Sequence, residues 1–481
     1  MRTFKEPNRE QLLMLTTVNL ETVAPVGSAL RAIDELVNQL DTRKIEKNYD
    51  LATPQGGLPI HPKTVIKVAL YAMHNCRFSL RKMEEDTRHH LGYRWLTGNE
   101  TIDHSTIGKF FSRYRNELPD LLGQVIFIGT EHELVDFEVL NIDTVKIRAN
   151  ASYKQFRNSE AIRKEQEKLR KRLRELIDNS CREDEDEKRV IKSRIAKLES
   201  AKKELKKRIE DKTADKTPSA QEEIKKNERI NITDNDCGLM QQANGEINSA
   251  FAVTMATDSA NDFIVHVEVQ DKPNDAEALI GAVSGSIEMT GKRHEVINAD
   301  AGFSSIDNLE RLESDKQNAL IPDRRHDAEL RGDLSKGEYD RSKFSFDEQR
   351  DCYMCPQGCE LLRISSVSVN NRIQQRYGNK KACRNCENLS CCTRGAFRVI
   401  SRDANEAVKE RMRERLSLEE NKELYKLRAH CVESPFGQIK HNLKYRIFMR
   451  RSREKVKMEI SLLCMLHNIL KIGRTAAFAT Q

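Results

Sequence analysis

The sequence predicts an α/β protein. A core of strands and helices stands behind an all-α, helix-turn-helix-like N-terminal domain and is interrupted by a helical-hairpin insert and a Cys-rich insert. Three observations predict it. Apolar runs of strand length recur at FEVLNIDTVKI (137–147), SAFAVTMATDS (249–259), DFIVHVEVQ (262–270), HEVINAD (294–300) and NALIPD (318–323), the later ones alternating with helical segments. A heptad-spaced stretch splits the first run from the second. Seven of the twelve cysteines crowd into residues 352–392.

A chain of 481 residues exceeds one simple core, so two or three domains are expected. The net charge of +7 is mild, from 82 basic and 75 acidic residues, but uneven. A locally basic surface suits a polyanion. No apolar run reaches the roughly 18 residues of a membrane span, and the N-terminus lacks a signal-peptide pattern. A cytoplasmic protein is expected, nucleoid-associated when bound to DNA. Reduced, crowded cysteines in that compartment favour metal over disulfides.

Residues 1–125 read as the helical domain. SALRAIDELVNQL (28–40) has helical spacing, and ATPQGGLP (52–59) is a turn-rich boundary. Three short helices follow: KTVIKVALYAMHN (63–75), one starting at FSLRKMEED (78–86) with Ser79 as N-cap, and STIGKFFSRYRNEL (105–118) capped by Asp103 or Ser105. They fit a DNA-binding helix-turn-helix unit; a packing bundle is the alternative. Trp95 is read as a core anchor.

The core's first part covers 133–153 and 229–323. Between these, residues 154–228 set Ile162, Leu169 and Leu176 seven apart, then Ile191, Leu198 and Leu205, around the polar break DNSCREDEDE. This is an antiparallel hairpin with solvated faces; DNA contact or dimerisation is the other reading. Helices are expected at AEALIGAVSGSIEM (276–289) and SIDNLERLESD (305–315). Residues 324–398 turn irregular and Cys-rich. Residues 399–481 are helical, with Pro435 interrupting or restarting a helix near Glu433. The last helix, EKVKMEISLLCMLHNILKIG (454–473), reads as amphipathic, with Ile460, Leu463, Leu466, His467 and Leu470 near one face.

Three carboxylates carry the chemistry. Asp143 ends the first buried strand, where a carboxylate needs a reason. Asp300 ends a later strand. Glu433 heads a basic run with eight Lys or Arg and one acid over 434–457. Converging, the three suit Mg²⁺ and a two-ion site for phosphodiester chemistry. Each also has a plainer role: a turn cap at Asp143 or Asp300, a surface ion pair at Glu433.

The stretches NIDTVKIRANAS, VINADAGFSS and VESPFGQIKHNLKYRIFMRR, with the N-terminal LPIHPKTVIKVALYAMHNCRFSLRKMEED and YRWLTGNETIDHSTIGKFFSRY, resemble bacterial insertion-sequence DDE transposases with a Tyr-Arg-Glu-Lys signature. The resemblance implies an RNase H-like core, a mixed sheet with flanking helices. It implies that Asp143, Asp300 and Glu433 bind the catalytic metals, two Mg²⁺ or Mn²⁺. Tyr425, Arg428 and Lys440 match the signature, and Lys444 and Arg446 join them as DNA-binding residues. Four residues separate Arg428 from Glu433 where three is usual, and Thr144 follows Asp143 where Gly is frequent. A seven-residue helical step puts Lys440 on the face of Glu433. The expected partners are double-stranded DNA, as terminal inverted repeats and target, and a second copy of the chain in a dimer or higher complex. The rivals are a nuclease that cuts without joining and an inactive, domesticated DNA-binding protein.

The cysteines allow two zinc sets. Cys352, Cys355, Cys383 and Cys386 make a ribbon-like pair of pairs. Cys355, Cys383, Cys386 and Cys392 match the cysteines that recur in similar transposases and are preferred. Such a zinc is structural; free thiols are the alternative.

Overall fold

The computed structural model describes residues 12–13, 16–47, 59–178, 185–214, 216–242, 244–271, 278–330, 337–369 and 372–479. Most of the 52–59 boundary and of the polar break at 178–187 lies outside them. The chain divides into two compact units: Met1–Asn274, Gly281–His294 and Ala429–Gln481 form the first, Asp275–Ile280 and Glu295–Arg428 the second.

The first unit opens with α1 (Ala29–Gln39), α2 (Pro62–His74), α3 (Leu80–His89), α4 (Leu91–Thr97), α5 (His104–Arg113) and α6 (Asp120–Glu131). Sequence spacing predicts three helices over 63–118; four form. The extra one, α4, starts where His90 Nδ1 accepts the Gly92 N–H at 3.2 Å, a cap outside the usual Ser, Thr, Asp and Asn set. Asp103, not Ser105, caps α5. Trp95 is fully buried and donates to Glu21 at 2.9 Å.

Strand β1 (Val139–Arg148) leads into the hairpin of α7 (Ser159–Asp178) and α8 (Glu185–Thr213), followed by α9 (Pro218–Asn227). The heptad positions form its seam: Ile162, Leu198, Ala201 and Leu205 cluster with Ile230 and Ile232, and Leu169 packs against them. Strands β2 (Gly238–Gln241), β3 (Ile247–Asp258) and β4 (Phe263–Gln270) follow. Antiparallel β3 takes β1 on one edge and both β2 and β4 on the other. Asp143 therefore lies in mid-strand, a correction to its expected place at the end. The reason is the ladder, which continues past it to Arg148 opposite Ala250. What changes at Asp143 is cover: 139–142 are buried, 143–146 half-buried.

Helix α10 (Ala278–Thr290) precedes β5 (Val296–Ala299), α11 (Ile306–Ser314) and β6 (Asn318–Leu320). In the second unit β5 and β6 pair in parallel across α11, a β-α-β unit. Helix α12 (Arg324–Leu330) comes next. The Cys-rich stretch is not irregular, as the sequence suggested. It is an antiparallel meander of β7 (Ser345–Asp347), β8 (Cys352–Met354), β9 (Glu360–Val369), β10 (Arg372–Gly378) and, after the short α13 (Lys380–Arg384) and α14 (Leu389–Cys392), β11 (Val399–Asp403). Phe344, Tyr353, Leu361, Tyr377 and Ile400 give it a small core of its own. Helices α15 (Ala407–Ser417) and α16 (Glu419–Gly437) follow. These α/β layers agree with the RNase H-like class that the resemblance implied.

The first unit closes with α17 (Arg453–Ala479). Its expected amphipathic pattern is wrong: Val456, Met458–Leu470 and Ile472 are all buried. The helix packs on α1, α2, α6 and β4, so it has no wet face there. Gly129 of α6 allows a close approach, since a Cβ would stand 2.2 Å from the Phe263 ring. Asn468 accepts the Ile264 N–H at 3.0 Å and donates to its carbonyl at 2.8 Å, satisfying backbone on β4. No helix among the described residues is long and apolar enough to cross a membrane.

His467 is packed in this core, its Nε2 3.0 Å from the Asp262 carbonyl. Burial pushes it from the ordinary 6.5 down to about 4. Burial does the same to His266. Between those values the unfolded chain takes up protons that the fold refuses, so stability rises with pH and is lost as pH falls from about 6.5 towards 4. The expected slope is about 1.4 kcal/mol per pH unit per histidine. Urea midpoints measured across that window test it, and His467→Gln removes its share of the slope.

Candidate active site

In the first unit, β1 and the basic run after α16 lie together. Ile447 bridges Arg148 in parallel, and the Phe448 N–H donates to the Arg148 carbonyl at 2.9 Å. Asn150 donates to the Met449 carbonyl at 2.7 Å and Arg451 to the Asn150 carbonyl at 2.8 Å. Asp143 accepts the Thr144 N–H at 2.8 Å. Lys440 is half-buried near it: burial lowers the ammonium's pKa, and the Asp143 carboxylate opposes that shift.

Pro435 sits inside α16 without ending it, and the chain widens into a π segment, Gln438–Asn442, that carries Lys440. The expected two-turn step from Glu433 to Lys440 assumes 3.6 residues per turn, and the π turn alters that phase. The Glu433 side chain lies outside the described residues.

The basic run divides its labour. Arg450 pairs with the buried Glu459 at 3.2 Å and lies 4.3 Å from the Phe111 ring centroid. The Arg453 backbone N–H donates to Asp236, and its guanidinium to the Val269 carbonyl. Arg450, Arg451 and Arg453 thus hold the fold. Lys444 and Arg446 face solvent between the buried Leu443, Tyr445 and Phe448. Lys444 has φ +55°, a left-handed backbone that costs a non-glycine residue about 1 kcal/mol.

In the second unit, Asp300 follows β5 and caps a short turn, accepting the Gly302 N–H at 2.8 Å. Its turn role is therefore real, and it uses one oxygen. The other lies 3.8 Å from Arg428 Nη2. Tyr425 stands one helical turn before Arg428. Its phenol is pushed up to about 12, mainly by burial; Arg428 opposes this, and Asp327 and Asp300 add to it. Asn298 on β5 donates to the Leu424 carbonyl at 2.8 Å, tying that strand to α16. Asp327, on α12, went unnoticed in the sequence. Nothing in its spacing marks it, but α12 packs by the turn at Ala301–Phe303.

Asp143 and Asp300 fit a hard dication by donor type. Each is a half-exposed carboxylate with one oxygen bonded to a local backbone N–H. Among the described residues, one group of His, Cys, Asp and Glu brings ligand atoms within 4.8 Å of one another: Glu84, Asp103 and His104. There Glu84 already pairs with Arg88 and accepts the His104 backbone N–H. That cluster works as a helix cap.

Cys355, Cys383, Cys386 and Cys392 line one small pocket, together with Cys359. Cys352 does not line it; it is buried on β8.

Residues 18–113 match the family model described as a transposase domain (DUF772), and residues 354–473 the one described as a transposase DDE domain. The second match spans Glu433 but neither Asp143 nor Asp300. No curated protein and no solved structure matches. The family implies a divalent metal and DNA as the molecule acted on. One transposase model thus matches the head of the chain and another its C-terminal part, and together they support an insertion-sequence DDE transposase.

Proposed function

We propose that the protein cuts the ends of its element and joins the freed 3′-OH to target DNA in one transesterification. Asp143, Asp300 and Glu433 hold the metal, Mg²⁺ or Mn²⁺ in a two-ion site. A metal held there would supply activation of the attacking oxygen and stabilisation of the leaving one. Lys440 and Arg428 meet the phosphate's charge, and Tyr425 positions Arg428. The N-terminal helices recognise the terminal inverted repeats, and two copies pair two ends. The observation that carries this reading is the pairing of signature residues within each unit: Lys440 beside Asp143, and Arg428 with Tyr425 beside Asp300.

The test is strand transfer. A pre-cut end with a free 3′-OH, incubated with protein, Mg²⁺ and target DNA, yields a joined product. Cleavage of uncut ends without joining would favour the nuclease.

Lys444 and Arg446 track the DNA backbone. The double substitution to Ala weakens binding alike on all sequences and lowers the salt slope by about 2. Fluorescence anisotropy over a salt series reads it; an unchanged slope removes both from the DNA path.

A further inference from the structure

The turn between α2 and α3 belongs to the helical domain, yet it rests on the segment that carries Lys440. Phe78 meets the Tyr445 ring edge-on, with centroids 5.0 Å apart. The Cys76 thiol donates to the Asn442 carbonyl at 3.5 Å. Asn442 is the last residue of the π segment, and Tyr445 follows soon after. Both contacts therefore fall on the C-terminal end of the turn under Lys440. That end closes through the Leu443 N–H on the Gln438 carbonyl at 2.8 Å and the Tyr445 N–H on the Ile439 carbonyl at 2.9 Å. Cys76 and Lys444 both hold a left-handed backbone, at φ +56° and +55°. Non-glycine residues keep that conformation only where their surroundings over-determine it.

The rings continue inward. Tyr445 is fully buried and stands 5.7 Å from Phe448, which stands 5.8 Å from Phe251 of β3. Phe251 lies opposite Ile147 on β1, the strand that carries Asp143. Edge-to-face ring pairs are directional as well as apolar. The row therefore sets where the π turn sits relative to the sheet, and Phe78 is its outer end.

We infer that Phe78 is a positioning residue for Lys440: by packing on Tyr445, the helical domain fixes the π turn and with it the place of the ammonium near Asp143. The inference rests on the proposed role of Lys440 at the phosphate. It also joins the domain proposed to read the element ends to the segment proposed to act on them. A displacement of about 1 Å in a catalytic group can cost about a hundredfold in rate, so a half-buried ring distant from the phosphate can still govern the reaction.

Full-length Phe78→Ala is followed by hydrogen exchange and by strand transfer from pre-cut ends. The amides of Leu443 and Tyr445 exchange at least tenfold faster than in wild type, while those of α17 stay protected and show that the chain is folded. This readout needs no activity, and unchanged protection overturns the inference. At saturating DNA, Phe78→Ala joins about 10–100-fold more slowly, with binding to end DNA unchanged. Phe78→Tyr, which keeps the ring, retains the wild-type rate and protection. In a Lys440→Ala background, Phe78→Ala has no further effect on joining, as expected of a residue acting through Lys440. An equal further loss there, or a joining rate unchanged by Phe78→Ala alone, overturns the positioning role. A wild type that fails to join pre-cut ends sinks the proposed function instead, and exchange alone then decides whether Phe78 holds the turn.

Discussion

Asp143→Asn abolishes end cleavage and strand transfer while leaving binding to end DNA intact. The expected loss is about a thousandfold or more, roughly 4 kcal/mol of transition-state stabilisation, the scale of charge stabilisation a metal supplies. Asp300→Asn and Glu433→Gln are expected to behave alike, because the proposed site has all three acting through the same ions. Binding survives because the surfaces proposed for it, Lys444, Arg446 and the N-terminal helices, owe nothing to the carboxylates. The amide also removes the charge that counters the burial of Lys440, so the loss is not made good by the remaining groups. Gel-shift and strand-transfer assays on one preparation decide it. Parallel loss of binding and cleavage sinks the metal-ligand assignment, as does a variant that still cuts.

Arg450→Met destabilises the first unit by about 3–5 kcal/mol, the usual cost of stranding a buried charge. Glu459 is 1% exposed and accepts the Met449 and Arg450 N–H groups at 3.2 Å. Burial already raises its pKa, and Arg450 counters that. Methionine keeps the apolar stem against Phe111 but removes the cation. Adding Glu459→Gln restores most of the loss, since the amide oxygen still accepts both N–H groups and carries no charge. Urea denaturation of the two variants checks it. If the single variant is neutral, or the double is no better, the pair does not hold this corner of the fold.

Much of the architecture was legible because its signals are local. Heptad leucines need only a partner helix, so the hairpin seam came out at Ile162, Leu198 and Leu205. Asp300, expected as the last residue of its strand, stands one residue beyond it, because it caps the turn that follows at once. The rest was hidden where tertiary context overrides local pattern. ELLRISSVSV and RIQQRY alternate like strands, but the cysteines, Gly and Pro that flank them read as loop. Helix α17 is covered on every side from Met458 to Leu470, which its seeming stripe of apolar positions does not disclose. The mid-strand place of Asp143 depends on a partner strand distant in sequence, and the π turn under Lys440, closed by the Leu443 N–H on the Gln438 carbonyl, has no mark in the sequence. The basic run looked uniform, yet only side-chain contacts to Glu459, Asn150 and Val269 separate structural arginines from the solvent-facing Lys444 and Arg446.

The burial of α17 also orders events on the ribosome. Helices α1 and α6 and strand β4 emerge long before the segment that covers them. Until it is made, their apolar faces stay open, and contacts of such long sequence separation form slowly and leave aggregation-prone intermediates. The unit that carries Asp143 therefore acquires its shape late in translation. A message cut short before α17 yields a chain that carries Asp143 without the helix that covers its unit.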